Sequence, residues 1–355
     1  MLCPDVRSVV LVVPGSLDTR TGGYIYDRHI AAGLRARGWA VDVCELDASF
    51  PRPSDPARAH AERMFSAIPS GTIALVDSLA LGAMPEIVVG HASRLRIAAL
   101  VHLPLAADVE LDPDTADRVQ LAEGRALSAA TVVIVTGRAA LPLLERYRLP
   151  PERVVVIEPG TARAPLARGS NGSTLQLVSV ATLNPGKGHE DLLAALADVP
   201  SRHWHLTCAG SLTRHPQTAE RVRAMICRLN LDDHVSLVGD LDAPALERCY
   251  DGSDLFVLAT LRETYGMAVA EALARGLPVV STTTGAMPEL VGDWAGMLVT
   301  PGDRRALADA LSRVIGDADM RARLAEGARR VREQLPEWDR AVDSVATTLE
   351  SIDHE

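Results

Sequence analysis

The chain contains a single lysine, Lys187, set in the turn Asn184-Pro185-Gly186-Lys187-Gly188, while every other member of its 36 Lys+Arg is arginine. The turn follows a strand-like run, Leu175–Val180, and precedes a helix-like run, His189–Ala197. Strand, glycine turn and helix form a setting in which backbone N–H groups and a helix N-terminus collect around a phosphate. A compact ammonium adds a point charge that can follow a phosphate oxygen. The spacing is not that of a Walker A loop, and a solvated turn lysine is the plain alternative.

A second constellation is Glu263-Thr264-Tyr265-Gly266-Met267-Ala268-Val269-Ala270-Glu271, directly after a strand expected over 255–259. Gly266 allows close backbone approach, and a helix starting near Met267 points its positive end into the strand-end crevice. Ionised carboxylates only accept hydrogen bonds, which suits them to gripping sugar diols. Eight helical residues span ~12 Å, roughly the reach from a hexose hydroxyl across a diphosphate to a ribose hydroxyl. The plain alternative is an acid at a helix start plus a surface glutamate. His102, in Leu100-Val101-His102-Leu103-Pro104, closes another expected strand and by itself reads as a satisfied structural histidine.

These residues require a scaffold that presents strand ends. At 355 residues the chain exceeds one ordinary core, and its hydrophobic fraction of 47% is that of a globular protein. Strands are expected at 8–13, 40–46, 72–76, 96–101, 131–135 and 153–157, with helices at 24–37, 113–129 and 138–146. After a Gly/Ser-rich stretch over 160–174, read as an interdomain linker, the alternation restarts. Strands are expected at 175–180, 205–209, 235–238, 255–259, 278–281 and 296–299, with helices at 189–197, 219–229 and 267–275. Three further helices, 304–315, 320–334 and 338–349, close the chain. Such βαβ succession implies doubly wound α/β sheets with ligands at the carboxyl ends of the strands. The expected domains are 1–165 and 166–337, with a terminal helix at about 338–355 packing back onto the first.

At this point the stretch Arg262-Glu263-Thr264-Tyr265-Gly266-Met267, continued by Glu271-Ala272-Leu273-Ala274-Arg275-Gly276-Leu277-Pro278 and Gly285-Ala286-Met287-Pro288-Glu289, resembles the hallmark of family 4 retaining glycosyltransferases. The resemblance covers nearly the whole chain, including Gly22-Gly23 and the 180–188 turn. It implies the GT-B fold, two Rossmann-like domains facing across a cleft, and a nucleotide-sugar donor site. In that reading Lys187 holds the diphosphate, Glu271 the ribose hydroxyls and Glu263 the sugar hydroxyls. The Gly266 and Met267 amides serve the phosphate or sugar, Gly22 and Gly23 admit the diphosphate, and His102 stands near the transferred sugar. Thr182 occupies the donor-site position where the family usually carries an arginine; Arg262 or Arg214 would supply the absent charge. Asp18, Arg20 and Tyr24 are the acceptor-side residues, suggesting a small polar acceptor. Retention would proceed by front-face departure of the diphosphate, with no covalent nucleophile and no metal. The UDP- or GDP-sugar is a co-substrate, and no covalently bound cofactor is implied.

Composition narrows the classes further. A net charge of −10 and 3% aromatic residues offer neither a phosphate-neutralising face nor stacking platforms, so no nucleic-acid partner is expected. No apolar run approaches the ~20 residues of a membrane span. The stretch 57–68 is the one weak candidate for an interfacial helix, and membrane association is not expected. Five scattered cysteines without a CxxC pair indicate a reducing, cytoplasmic setting with neither disulfides nor a zinc site, which makes the sequon at Asn171 meaningless. The pairs Asp112/Asp114, Asp240/Asp242 and Asp317/Asp319 imitate the Asp-x-Asp of metal-dependent transferases but fall at joins between elements, so no metal is assigned. Two alternatives stay open: a same-fold disaccharide synthase or phosphorylase using sugar phosphates, and a non-catalytic nucleotide-sugar binding module. A nicotinamide dehydrogenase would need a GxGxxG fingerprint that Gly15 and Gly22-Gly23 do not make.

Overall fold

The computed structural model describes residues 7–170 and 172–353; Cys3 and Asn171 lie outside the described residues. The chain divides into two compact units, Met1–Gly160 with Trp338–Glu355, and Thr161–Glu337. The boundary falls earlier than the composition suggests because residues 161–170 are not a free linker. The Ala167 N–H donates to Arg275 O, those of Arg168 and Gly169 to Asp251 O, and that of Thr161 to Pro336 O. The Ser170 N–H donates to Asp254 Oδ1, so the segment is laid along the second unit.

Unit one carries β1 (Ser8–Pro14), β2 (Ala40–Leu46), β3 (Ile73–Asp77), β4 (Arg96–Val101), β5 (Val132–Val135) and β6 (Val154–Val156). They form one parallel sheet in the order β2-β1-β3-β4-β5-β6. Unbroken apolar runs such as Val132–Val135 are buried on both faces, as helices covering a parallel sheet demand. The helices Gly22–Ala36 and Trp338–Asp353 cover one face around Ile30, Leu34, Val342 and Leu349. On the other face lies the helix Asp55–Ala67, capped by Ser54 Oγ accepting from the Ala57 N–H at 3.3 Å. Its Ala57, Ala61 and Phe65 are buried in the core, so the apolar stripe of the 57–68 stretch is already covered. The helix expected over 138–146 is broken into a 3₁₀ turn, one α-turn at Leu141–Leu144 and another 3₁₀ turn. Pro142 fixes where the α-turn begins, and left-handed Arg148 (φ 51°) ends the second 3₁₀ turn.

Unit two carries β7 (Leu175–Val180), β8 (Trp204–Ala209), β9 (Val235–Gly239), β10 (Leu255–Val257), β11 (Val279–Thr282) and β12 (Gly296–Val299). Their order is β12-β11-β10-β7-β8-β9, again all parallel. The chain winds outward in both directions from adjacent β7 and β10, so the topological switch point lies between their carboxyl ends. In unit one the corresponding switch is between β1 and β3. Such crevices are where doubly wound sheets take ligands. Among the described residues, no helix is long and apolar enough to cross a membrane, and Cys44, Cys208, Cys227 and Cys249 are free thiols.

The helix Trp338–Asp353 closes unit one. Trp338 stacks on His29 with centroids 4.0 Å apart, and Arg37 pairs with Asp343 at 2.6 Å and Asp339 at 3.2 Å. The helices meet at Gly33, where an added Cβ would lie 2.4 Å from Val342 Cγ2. Ordinarily Gly→Ala in a helix stabilises by about 1 kcal/mol. Here the stiff valine cannot yield, and overpacking costs about 1–3 kcal/mol. Gly33→Ala is therefore expected to lower the urea unfolding midpoint, and adding Val342→Ala to restore part of the loss.

Candidate active site

In unit two, three loops leave the carboxyl ends of β7, β10 and β11 and meet at the switch point. The β7 loop ends in Asn184-Pro185-Gly186-Lys187-Gly188. The Leu261 N–H donates to Gly186 O at 2.7 Å, and Thr260 Oγ1 donates to the same oxygen at 3.1 Å. Gly188 is left-handed (φ 65°), and a Cβ there would lie 1.9 Å from Ala259 O, so only glycine lets the two loops touch. Gly285 (φ 61°) is similarly constrained: its Cβ would lie 2.4 Å from Glu263 O. These contacts deliver Lys187 Nζ to Glu263 Oε2 at 2.7 Å, with the side chains 26% and 16% exposed. Glu263 Oε1 also accepts the Thr264 N–H at 3.1 Å. The two residues singled out from separate stretches of sequence thus form one partly desolvated ion pair.

Beside the pair, Gly266 (φ 100°) opens the helix Met267–Ala274, which has no side-chain cap and no acid in its first turn. The Gly266 and Met267 amides therefore stand at an uncompensated positive helix end. Of the residues from Glu263 to Glu271, only those from Met267 onward are helical, so helix accounts for about 6 Å of the path between the acids and loop for the rest. Glu271 is held in place: Tyr250 Oη donates to its Oε2 at 3.1 Å, and Arg275 lies over the Tyr250 ring at 4.5 Å. Burial raises the Glu271 pKa above the ordinary carboxylate value, opposed by the Tyr250 hydrogen bond and by Arg275. Thr182 lies half-buried on the β7 loop and offers no charge. Arg262, next to Glu263, is exposed; Arg214 lies on the β8 loop, its N–H 3.4 Å from Ser211 Oγ.

Unit one presents its own strand-end group. Gly22 and Gly23 begin the helix Gly22–Ala36, whose N-cap Thr21 makes no side-chain cap and whose first turn carries no acid. A Cβ on Gly23 would lie 2.9 Å from His102 Cδ2, so this glycine admits the imidazole against the helix start. His102 follows β4, and its Nε2 lies 3.0 Å from Asp27 Oδ1 and 3.6 Å from Asp77 Oδ2. The loop after His102 is pinned by buried Glu123, whose Oε1 accepts the Leu105 N–H at 2.8 Å while Oε2 accepts from Ala106 and Tyr147 Oη. Asp18 and Arg20 are exposed on the preceding loop, which Arg28 holds by donating to Leu17 O at 2.5 Å and Thr19 O at 2.7 Å. Tyr24 is not with them: it is buried, and its hydroxyl donates to Pro14 O, which makes it framework rather than a group presented to an acceptor.

The Asp-x-Asp pairs have structural uses. Asp112, Asp242 and Asp317 each cap a helix, accepting N–H bonds from Thr115 at 3.0 Å, Ala245 at 2.8 Å and Met320 at 2.9 Å. Asp27, Asp77, Glu123 and Tyr250 do not stand out in the sequence. Asp27 has a visible signal all the same, since it shares helical spacing with buried Ile30, Ala31 and Leu34 and so is an acid inside an apolar stripe.

Residues 165–331, nearly all of the second unit, match the family model of glycosyl transferases group 1. Among curated proteins, the D-inositol 3-phosphate glycosyltransferase of Corynebacterium efficiens is 25% identical over 61% of this chain and 56% of its own length. The enzyme of the same name from Salinispora tropica is 29% identical over 65% of this chain and 52% of its own. The chain thus spans little more than half the length of these relatives. Among solved structures, sucrose-phosphate synthase from Thermosynechococcus elongatus superposes with a TM-score of 0.82 at 20% identity, covering 98% of this chain and 99% of that one. Anabaena HepE, solved in complex with UDP-glucose, gives 0.78 at 19% identity over 97% and 99%. The fold of two six-stranded parallel sheets with flanking helices is GT-B.

The loop packing carries its own test. Gly188→Ala combines left-handed strain with a backbone clash and is expected to cost unit two about 2 kcal/mol or more in chemical denaturation. Gly302 is also left-handed (φ 79°) but has nothing within 4 Å of its Cβ position. Gly302→Ala should therefore show only the strain, about 1 kcal/mol.

Proposed function

We propose that this chain, whose residues 165–331 belong to the glycosyl transferases group 1 family, transfers a hexose-type sugar from a nucleotide diphosphate sugar to a small polar acceptor. The observation that carries the reading is the Lys187–Glu263 pair at 2.7 Å beside the uncapped start of the helix Met267–Ala274. An ammonium and a row of free N–H groups suit a diphosphate, and the adjacent carboxylate suits the hydroxyls of the attached sugar. Glu271, further along the same helix and steadied by Tyr250, takes the ribose diol. UDP is the favoured carrier, in keeping with the HepE complexes with UDP and UDP-glucose.

The catalytic work assigned to the protein is orientation and stabilisation of the departing diphosphate charge. Lys187 is the fixed cation for that charge, and the helix dipole adds to it. With Thr182 uncharged, exposed Arg262 is the nearest candidate in sequence for a second cation. Transfer proceeds with retention, the acceptor oxygen arriving on the face the diphosphate leaves. Metal independence is supported by the helix-capping use of Asp112, Asp242 and Asp317. On unit one, His102 serves the transferred sugar and Asp18 with Arg20 the acceptor. A phosphorylated acceptor is the second form of this reading, favoured by Arg20 on the loop before the uncapped helix at Gly22.

Thermal shift with UDP, GDP, ADP and their hexose conjugates tests the donor, because a ligand specific to the native state raises its melting temperature. One nucleotide sugar should raise the midpoint and turn over, whereas no shift with any of them would end the proposal. Lys187→Ala should weaken UDP binding on the order of 10–100-fold, the scale of a lost charge-assisted contact. Glu263→Gln should keep UDP binding and instead lower turnover.

The raised pKa of Glu271 gives a further expectation. The ribose contact needs the ionised acceptor, so nucleotide affinity is full at alkaline pH and falls as pH drops through a midpoint above the ordinary carboxylate value of about 4.3. Tyr250→Phe removes the hydrogen bond that favours the ionised form. Its midpoint for loss of affinity, followed by calorimetric titration of UDP, should move to still higher pH.

A further inference from the structure

Unit one holds a buried cluster of three titratable groups that the donor-site reading does not explain. Asp27 and Asp77 are 0% and 1% exposed, yet each leaves one carboxyl oxygen, Oδ2, with no hydrogen-bond partner. Two ionised carboxylates side by side in a core beside one imidazole leave buried negative charge unbalanced even when the ring is protonated, which is costly. A single proton resolves it. Asp77 Oδ1 accepts the Leu79 N–H at 2.6 Å, so a proton on Asp77 belongs on Oδ2. From there the carboxyl can donate to the Asp27 carboxylate, a side-chain hydrogen bond that favours the protonated form of Asp77. Asp27, the acid closer to His102 (3.0 Å against 3.6 Å), keeps the negative charge.

We infer that Asp27 and Asp77 are positioning residues that lock His102 as an imidazolium, with Nε2–H donated to Asp27 and Nδ1–H left as a cationic donor at the strand ends. The cluster then reads neutral acid, carboxylate, imidazolium, and sums to zero charge. The groups facing the ring are Asp27 and the Tyr26 ring from the helix Gly22–Ala36, the latter edge-on at 5.4 Å, and Asp77 from the end of β3. Titration tendencies agree. Burial alone would depress the His102 pKa, but the charge and hydrogen bond of Asp27, helped by Asp77, outweigh it and raise the value. The Asp77 pKa is raised by burial and by the Asp27 charge. His102 makes no other hydrogen bond among the described residues, so Nδ1 is the atom available to a ligand.

The functional consequence rests on the glycosyl-transfer reading. A histidine locked as a cation cannot serve as a general base; it donates to a ligand hydroxyl or anion at the strand ends of unit one. Activity limited by His102 is then present at low and neutral pH and lost as pH rises through its raised pKa. A general base would give the opposite limb.

The test is an NMR titration of ¹⁵N-labelled histidines in the full chain, with His102 assigned by its disappearance in His102→Gln. The expected midpoint for His102 lies above the ordinary histidine value of about 6.5. Asp27→Asn should lower it, because the nearer carboxylate and its hydrogen bond are lost and only Asp77, at 3.6 Å, remains to oppose burial. Asp77→Asn replaces one neutral donor by another and should leave the midpoint raised. A His102 midpoint at or below the ordinary value of about 6.5 in the native chain would overturn the inference. So would a fall with Asp77→Asn as large as that with Asp27→Asn, or stoichiometric Zn²⁺ uptake abolished by either change. The titration needs no turnover, so failure of the transferase reading would leave it standing. A raised midpoint with activity that increases through it would keep the cluster and reject the donor role.

Discussion

One ammonium meeting one carboxylate at the switch point of a parallel sheet is the contact around which unit two is arranged. The pair is partly desolvated, and the cost of taking both charges from water offsets much of their attraction, so stability is a weak reason to keep it. Holding it constrains the sequence heavily. Gly188, Gly266 and Gly285 all sit at positive φ, and a Cβ on any of them would lie within 2.4 Å of a neighbouring atom. Two of those neighbours are backbone carbonyl oxygens, which no rotamer change can move. Three obligatory glycines in service of a weakly stabilising contact indicate that position, rather than folding energy, is what the loops are built to secure.

Six helix starts are capped by side chains: Ser54, Asp77, Asp112, Asp242, Asp303 and Asp317 each accept an N–H in the first turn. The helices beginning at Gly22, His189 and Met267 have glycine at or beside the N-terminus and no side-chain cap. A cap satisfies the end of a helix and neutralises part of its dipole. Omitting it at these three strand-end helices leaves donors unspent where doubly wound folds take their ligands.

How far the sequence can be read depends on what each feature requires of side chains. Parallel strands buried on both faces need unbroken apolar runs, so most strands are legible to within a residue or two. The phosphate-type loop and the Glu263–Glu271 stretch are legible because close backbone approach demands glycine and the charge types are few. The 160–174 stretch reads wrongly as linker: its Gly, Ser and Pro content says nothing about backbone N–H groups, and those groups bind it to Asp251, Asp254 and Arg275. Tyr24 looks like a polar group on a loop, but it falls on the buried side of the helix Gly22–Ala36. Asp77 ends an apolar strand, where a charge looks like the return to solvent; only the tertiary arrangement reveals that it faces Asp27. Tyr250 escapes notice because its partner Glu271 lies 21 residues further along the chain.

The acids of the proposed site divide by environment, and the division fits the roles proposed for them. Glu263 is partly exposed and spends its charge on Lys187, which under the proposed reading frees it for a ligand hydroxyl once a diphosphate claims the ammonium. Glu271 is likewise part-buried, and burial raises its pKa while Tyr250 and Arg275 oppose the rise. It is an acceptor preorganised by neighbours that do not leave. Asp27 is fully buried and bound to His102 at 3.0 Å, so it can act only through that imidazole. A carboxylate that must move needs a soft, screened partner, and one that must not move needs hydrogen bonds from a packed core. Glu263 and Glu271 are both part-buried and open to a ligand, whereas Asp27 is fully enclosed, so of the three only Asp27 is barred from touching one itself.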